Sequence, residues 1–275
     1  MDTNKIRGES KTLLTDGGVE LTYCERGNDN DEVIICGAFA FHTFMPLVEL
    51  LAEKYHVYGV VMRMDGKSEE RNADGTTNWS RQWGNDIYNF ARQLNLPKFH
   101  YVGKCHGSVP GWYLAKNHSE CLKSFCSFFM APHTKKQTSN KFFEVLQTKG
   151  VIGMLETGLR KPEGIKTKLD EMKFAGKVDV NIVPRYAVDF AANIWDSTDE
   201  CIETLKNMPV PVEYLFGSDD LFFQDHFDSN MYAMLNTKGA RSVILEGERH
   251  FMEIDSPERI ASEIFMFIEE SAKKY

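Results

Sequence analysis

The sequence predicts an α/β fold, a mostly parallel sheet with helices on both faces. Between residues 33 and 132, short apolar runs alternate with segments of helical spacing, and the connections between them are short. Such alternation produces parallel strands joined by crossover helices. The run at residues 33–36 is continuous rather than alternately polar, which is typical of a strand covered on both faces. A glycine-flanked turn after one of these runs is a third indication of strand followed directly by helix.

The predicted elements follow one another with clear turn signals. Residues 12–24 are predicted to form a β-hairpin, because Asp16-Gly17 is a strong hairpin signal between two strand-like runs. Residues 44–53 carry leucines at helical spacing, and residues 83–94 carry a similar apolar stripe. The strands predicted after the hairpin are 33–36, 57–62, 99–102, 122–130, 212–216 and 242–245.

Residues 133–208 interrupt this alternation. The segment is rich in Lys and Glu, carries helical patterns and shows no strong strand. At about 75 residues it is several times longer than an ordinary connection. Surface helices between two strands are the alternative, but the length favours a helical cap at residues 133–208, inserted into a core formed by residues 1–132 and 209–275.

Composition narrows the function classes. The chain has 275 residues, a formal charge of −8 and a pI near 5.6, which argue against nucleic acid and anionic membrane partners. No apolar run approaches the ~20 residues that span a bilayer. The first residues lack a signal peptide, so the six cysteines indicate free thiols in a reducing compartment. We expect a cytoplasmic protein with a small-molecule substrate. A homodimer is left open.

The turn at Gly103-Lys104-Cys105-His106-Gly107 carries the strongest chemical signal. It has the G-x-S-x-G frame of a nucleophile elbow, with cysteine in the place of serine. The two glycines let a strand reverse sharply into a helix, which holds the Cys105 side chain out of the turn. The same geometry directs the backbone N–H of His106 at a developing oxyanion. One five-residue match has low specificity by itself.

Candidate partners for Cys105 follow two later predicted strands. Asp219 and Asp220 come directly after strand 212–216, and His250 comes after strand 242–245. Carboxyl ends of parallel strands are where open α/β sheets bind ligands. Taken alone, each of these residues is explained as well by a solvated loop position as by a catalytic role. Together they supply a nucleophile, an acid and a histidine in the order that an elbow enzyme requires.

With these motifs the chain resembles the α/β-hydrolase superfamily over essentially its whole length. The segment Gly217-Ser218-Asp219-Asp220 is similar to the family's acid loop, and this alignment implies Asp220 rather than Asp219 as the acid. The segment Cys36-Gly37-Ala38-Phe39 stands where the family has a His-Gly pair followed by an oxyanion-hole residue. The resemblance therefore implies the backbone N–H of Ala38 as the second oxyanion donor, beside that of His106.

Cysteine at position 105 departs from the family's usual serine. A few members, such as dienelactone hydrolase and the polyester synthases, use cysteine, and the sequence leaves open a native residue or an introduced replacement. A thiolate at Cys105 is stabilised by His250 and by the N-terminus of the following helix. Its acyl product is a thioester, which amines and thiols attack as readily as water.

These features predict a hydrolase that cleaves an ester, lactone or thioester through an S-acyl intermediate on Cys105. An acyltransferase on the same intermediate and a carbon–carbon bond hydrolase are alternatives on the same scaffold. A small-molecule receptor that kept the pocket is the alternative outside enzymes. The residues expected to contact the substrate are Phe39, His42, Phe190 and Trp195.

The sequence predicts no cofactor and no metal ion. Cys121 and Cys126 are five positions apart around a strand, so they project to opposite faces and do not form a compact zinc-binding pair. Gly37 and Gly66 lack the context of a nucleotide-binding glycine loop.

Overall fold

One sheet organises the chain. A computed structural model describes residues 10–29, 31–38, 44–62, 78–132, 141–166, 194, 195 and 197–274. Within these ranges eight strands pair in the order β1-β2-β4-β3-β5-β6-β7-β8. The β1–β2 and β2–β4 pairs are antiparallel and the others are parallel, which confirms the predicted mostly parallel sheet. The strands are β1 (Lys11–Leu14), β2 (Glu20–Arg26), β3 (Val33–Ala38), β4 (His56–Val61), β5 (Phe99–Lys104), β6 (Leu122–Phe128), β7 (Val212–Gly217) and β8 (Arg241–Leu245).

Helices connect the strands. Asn78 caps the helix Trp79–Gln93 by accepting the N–H of Arg81 at 3.0 Å. Gly150, with a φ of 68°, divides the helix Lys141–Gly158 into two parts. No helix among the described residues is long and apolar enough to cross a membrane. The helices of the described ranges are α1 (Met45–Leu51), α2 (Trp79–Gln93), α3 (Ser108–Asn117), α4 (Lys141–Gly158), α5 (Thr198–Lys206), α6 (Leu221–Asp225), α7 (Phe227–Asn236), α8 (Met252–Asp255) and α9 (Pro257–Lys274).

Both faces of the sheet are covered, as predicted. Trp83 and Phe90 of α2 and Trp112 of α3 are fully buried in the apolar cluster on one face, which also includes side chains of α5 and α7. On the other face, Val48 of α1 and Ile264 of α9 are fully buried. Successive strand residues alternate between these two clusters, because side chains of a strand point to opposite faces in turn.

The strand order reverses beside β3. Strand β4 lies on one side of β3 and β5 on the other. Open α/β sheets bind ligands at such a reversal, outside the carboxyl ends of the strands. Gly37 of β3 pairs with Gly103 of β5, and Ala38 and Cys105 follow these glycines directly or after one residue. Ala38 and Cys105 therefore lie at the same edge of the sheet.

Candidate active site

The turn after β5 holds Cys105 in a strained conformation. Strand β5 ends at Lys104, a single 3₁₀ turn spans Cys105–Gly107, and α3 begins at the next residue. Cys105 has a φ of 50°, in the left-handed region that residues other than glycine rarely occupy. Such a conformation costs about 1–3 kcal/mol and persists only where the surrounding structure enforces it.

Close approach of α3 to β5 enforces that turn. A Cβ on Gly103 would lie 2.3 Å from the carbonyl oxygen of Gly107 and 2.6 Å from the Cα of Ser108, so only glycine fits. The Ser108 hydroxyl donates to the carbonyl of Gly103 at 2.7 Å, and the Tyr101 hydroxyl donates to that of Gly107 at 2.8 Å. These bonds fasten the first turn of the helix to the strand that precedes it.

His250, in the loop after β8, contacts only one of the two candidate acids. Its Nδ1 lies 3.1 Å from Oδ2 and 3.2 Å from Oδ1 of Asp220. Asp220 is buried and also accepts the N–H of Phe222 at 2.9 Å, which caps α6. Asp219 is exposed and accepts the Ser218 hydroxyl. When Nδ1–H donates to Asp220, the Nε2 atom of His250 is left to act on Cys105.

The acid loop and the histidine loop are fastened together. A Cβ on Gly217 would lie 2.3 Å from the carbonyl oxygen of Glu248, which is another approach that requires glycine. The same carbonyl accepts the N–H of Asp219 at 3.0 Å, and the Ser218 hydroxyl accepts the N–H of Gly247 at 2.9 Å. Backbone contacts therefore set the separation of the two loops that carry the acid and the histidine.

Two histidines act on the Cys105 sulfur. Nδ1 of His106 lies 3.5 Å from Sγ, and His250 also hydrogen-bonds the sulfur. Burial by itself raises the pKa of the Cys105 thiol, but His106 and His250 together hold that pKa well below its ordinary value. Burial lowers the pKa of His250, yet Asp220 and Cys105 raise that pKa to about 9. The geometry therefore favours a thiolate–imidazolium pair at neutral pH.

Solved structures with this arrangement of elements include hydrolases. No protein-family model matches the sequence, and no curated protein matches it. An enol-lactonase from Burkholderia xenovorans superposes with a TM-score of 0.69 and 17% identity over 94% of this chain and 100% of that chain. The chain has the α/β-hydrolase fold.

Two further structures of this fold illustrate how far the likeness extends. An esterase from a Rhodococcus species has a TM-score of 0.69 and 16% identity, covering 95% of this chain and 98% of its own. A serine hydrolase from the polyaromatic hydrocarbon-degrading bacterium Cycloclasticus zankles has a TM-score of 0.73 and 15% identity, covering 94% and 97%. The likeness therefore extends over nearly the whole chain, although few residues are shared.

On this α/β-hydrolase fold, three phenyl rings surround the His250 imidazole. The ring centroids of Phe129, Phe251 and Phe222 lie 4.8, 5.2 and 5.4 Å from that of His250. Phe129 follows β6 with a φ of 64°, so a second left-handed residue directs its ring into the site. The sequence analysis missed these rings, although Phe251 directly follows His250 in the chain. Apolar walls of this kind exclude water from the imidazole.

A buried ion pair joins the turn that carries Cys105 to the segment that carries His250. The Lys104 ammonium pairs with the Glu253 carboxylate, and their side chains are 9% and 0% exposed. The ammonium also lies 4.5 Å from the ring centroid of Phe251. Lys104 is the residue before Cys105, and Glu253 lies in α8, just after His250. No local sequence pattern indicates this pair, because the two residues are distant along the chain.

The predicted substrate contacts lie in different places. Phe39, His42 and Phe190 fall outside the described residues. Trp195 is buried, and the Lys116 ammonium lies 5.6 Å from its ring. Lys116 is in the last turn of α3, about 12 Å along the helix from its first residue. Trp195 therefore packs against the last turn of α3, and its contact with a substrate stays a prediction.

One group of described side chains has the spacing of metal ligands. Ligand atoms of Glu25, Asp29 and His56 lie within 4.8 Å of one another. His56 begins β4, so this group is at the edge of the sheet opposite the carboxyl ends of the parallel strands. Glu25 already pairs with the Lys11 ammonium. The group is remote from Cys105 and contributes nothing to the chemistry there.

Proposed function

We propose that the chain is a hydrolase that cleaves an ester, lactone or thioester of a small molecule through an S-acyl intermediate on Cys105. The observation that carries the proposal is the set of contacts from Cys105 to His250 to Asp220, at a left-handed turn between strand and helix. Fold neighbours that include an enol-lactonase and an esterase support a carbonyl substrate. A thiolate nucleophile also supports a reducing, cytoplasmic location.

Acylation begins with the thiolate. The Cys105 sulfur attacks the carbonyl carbon, and the carbonyl oxygen becomes an oxyanion that accepts the backbone N–H groups of His106 and Ala38. The His250 imidazolium gives its Nε2 proton to the leaving oxygen or sulfur as that bond breaks. The products of this half-reaction are a thioester on Cys105 and a neutral His250.

Deacylation uses the neutral imidazole as a base. Nε2 of His250 takes a proton from water, whose oxygen bonds to the carbonyl carbon of the thioester. The C–S bond then breaks, the electron pair returns to the Cys105 sulfur, and the acid is released. Asp220 holds the tautomer of His250 and stabilises its imidazolium form in both half-reactions.

We extend the proposal to residues 133–208 as a cap over this site. The N–H groups of Arg160 and Lys161, just after α4, donate to the buried carboxylate of Asp255 at 2.6 and 2.9 Å. Asp255 ends α8, directly after the histidine loop. This part of the insertion therefore lies against the segment that carries His250, which supports the cap, whereas α5, at the end of the insertion, packs on a face of the sheet. The proposed substrate contacts are Phe39, His42, Phe190 and Trp195.

An acyltransferase is the second candidate. The three phenyl rings around His250 limit access of water, and a thioester reacts well with amines and thiols. Water exclusion favours an acceptor that binds in the pocket over bulk water. The same S-acyl intermediate serves both reactions, so only the acceptor distinguishes them.

Intact-protein mass spectrometry with a panel of activated substrates tests the proposal. The panel contains p-nitrophenyl acetate and butyrate, an aromatic lactone and an acyl thioester, each with and without an added amine acceptor. We expect turnover and a transient adduct with the mass of the acyl group, located on Cys105 and absent from Cys105→Ala. Acyl transfer to the amine would select the transferase. Binding without adduct or turnover across the panel would contradict the proposal and favour a receptor.

A further inference from the structure

Two different loops supply a histidine to the Cys105 sulfur. His106 belongs to the same turn as the thiol and places Nδ1 3.5 Å from Sγ. His250 reaches the sulfur from the loop after β8 and is held from behind by Asp220. His106 and His250 both lower the pKa of the Cys105 thiol. Among the described side chains, His106 is therefore a second group, beside His250, placed to donate to a sulfur anion.

A sulfur nucleophile makes a demand that an oxygen nucleophile does not. When the thioester breaks down, the sulfur leaves as a thiolate and needs no proton. It is stabilised instead by hydrogen-bond donors, and bonds to charged groups are stronger than bonds between neutral ones. In that step His250 is occupied with the proton of the attacking water. A separate donor on the sulfur would therefore assist the departure without competing for this base.

We propose that His106 is a second catalytic histidine, whose Nδ1–H hydrogen-bonds the Cys105 sulfur whenever it is anionic and thereby accelerates breakdown of the S-acyl intermediate. The inference rests on the proposed function above. The bond is strong in the resting thiolate and in the departing thiolate, and weak in the uncharged thioester. It therefore stabilises the free enzyme relative to the S-acyl form, which favours deacylation.

Atoms and electrons balance in the hydrolysis of the thioester on Cys105. Water gives one proton to Nε2 of His250 and forms a C–O bond to the acyl carbon. The C–S bond breaks, and its electron pair remains on the Cys105 sulfur. His106 keeps its own proton throughout and only strengthens its hydrogen bond as the charge on sulfur grows.

The first arm of the test needs no substrate. The rate of iodoacetamide alkylation at Cys105 is measured against pH in the wild type, His106→Phe, His106→Gln and His118→Gln. The phenylalanine keeps the ring and the backbone N–H but removes both ring nitrogens. We expect it to raise the thiol pKa by about one unit, a tenfold loss of thiolate stability, from the loss of a bond to a charged group. The glutamine amide keeps a donor and should restore part of the shift.

His118→Gln is the matched control, because His118 stacks on Tyr88 beyond the far end of α3 and should leave the profile unchanged. An unshifted profile in His106→Phe, with thermal unfolding showing that the variant is folded, would overturn the inference. That result would leave the proposed function intact.

The second arm separates acylation from deacylation. Rapid mixing with p-nitrophenyl acetate gives the burst rate and the steady-state rate, and quenched samples for mass spectrometry give the fraction of S-acyl protein. We expect His106→Phe to break down the acetyl intermediate about tenfold more slowly and so to accumulate it. Its burst rate, corrected for the thiolate fraction, should not fall. Equal losses in both steps would overturn the role in deacylation. Absence of both turnover and any S-acyl form, in the wild type and in His106→Phe, would instead refute the proposed function.

Discussion

Replacing Gly103 by alanine is the most direct test of how the fold positions Cys105. The added Cβ would lie 2.3 Å from the Gly107 carbonyl oxygen and 2.6 Å from the Cα of Ser108. Both obstacles are backbone atoms in the turn and first residue of α3, so no side-chain rotation can relieve them. The start of the helix must move away from β5, and Cys105 must move with it.

The size of the effect follows from these distances. Ordinary contact begins near 3.4 Å, so the contact with Gly107 needs a displacement of about 1 Å. A misplacement of that size at a reacting centre can cost about 10²-fold in rate. Overpacking of this kind also lowers the free energy of unfolding by about 1–3 kcal/mol, so the variant should remain folded at 25 °C.

The assay compares Gly103→Ala with Gly17→Ala. In Gly17→Ala the added Cβ meets only the Thr15 hydroxyl, at 3.9 Å, so neither activity nor stability should change much. The kcat/KM for p-nitrophenyl acetate, the alkylation rate of Cys105 and the denaturation midpoint are measured for both. Wild-type activity in Gly103→Ala, at any stability, would refute the argument that this close approach sets the position of Cys105.

Three further changes test other parts of the site. Asp220→Asn should slow ester turnover strongly, although by less than the ~10⁴-fold loss known for a serine nucleophile. Asp219 is exposed, so Asp219→Asn should have little effect; a larger loss of turnover in Asp219→Asn than in Asp220→Asn would make Asp219 the acid. Because the pKa of the Cys105 thiol is held well below its ordinary value, alkylation should stay fast as the pH falls from about 8.5 to neutrality. The kcat/KM for an ester should fall as the pH rises through about 9, because His250 then loses the proton that it gives to the leaving group during acylation. A thiol that titrates near 8.5 would contradict the ion pair. Lys104→Met or Glu253→Gln alone should lower the free energy of unfolding by about 3–5 kcal/mol in urea titrations, because each change removes the opposite charge from a buried group. The double variant should lose less than the sum of the two single losses, because it removes both charges.

Much of the fold could be predicted from the sequence because its strands are short, continuous apolar runs. The run from Val33 has no polar interruption, and the run from Val212 has only Glu213; each is a strand covered on both faces. The nucleophile turn was predictable for a related reason, since Gly103 and Gly107 flank a residue that directly follows such a run. Local signals of this kind need no knowledge of distant contacts.

Other features depend on contacts that no local pattern records. Phe129 continues the apolar run of β6, and nothing in that run indicates the left-handed turn that directs its ring at His250. Trp195 is buried beside Lys116 of α3, a contact that the residues around it in the sequence do not indicate. The Lys104–Glu253 pair joins residues separated by most of the chain. Each of these was decided by tertiary packing.

The attachment of the insertion to Asp255 has a consequence for how such proteins diversify. Asp255 is fully buried, and consecutive backbone N–H groups at positions 160 and 161 satisfy its carboxylate. An insertion grafted from another protein would have to present two free N–H groups at the same place, because a buried carboxylate without donors is costly. Other residues of the segment can therefore vary, while its point of attachment stays fixed to the loop that carries His250. Chimaeric proteins should therefore fold when the exchanged segment keeps the hydrogen bonds from residues 160 and 161 to Asp255, and should fail to fold when it loses them.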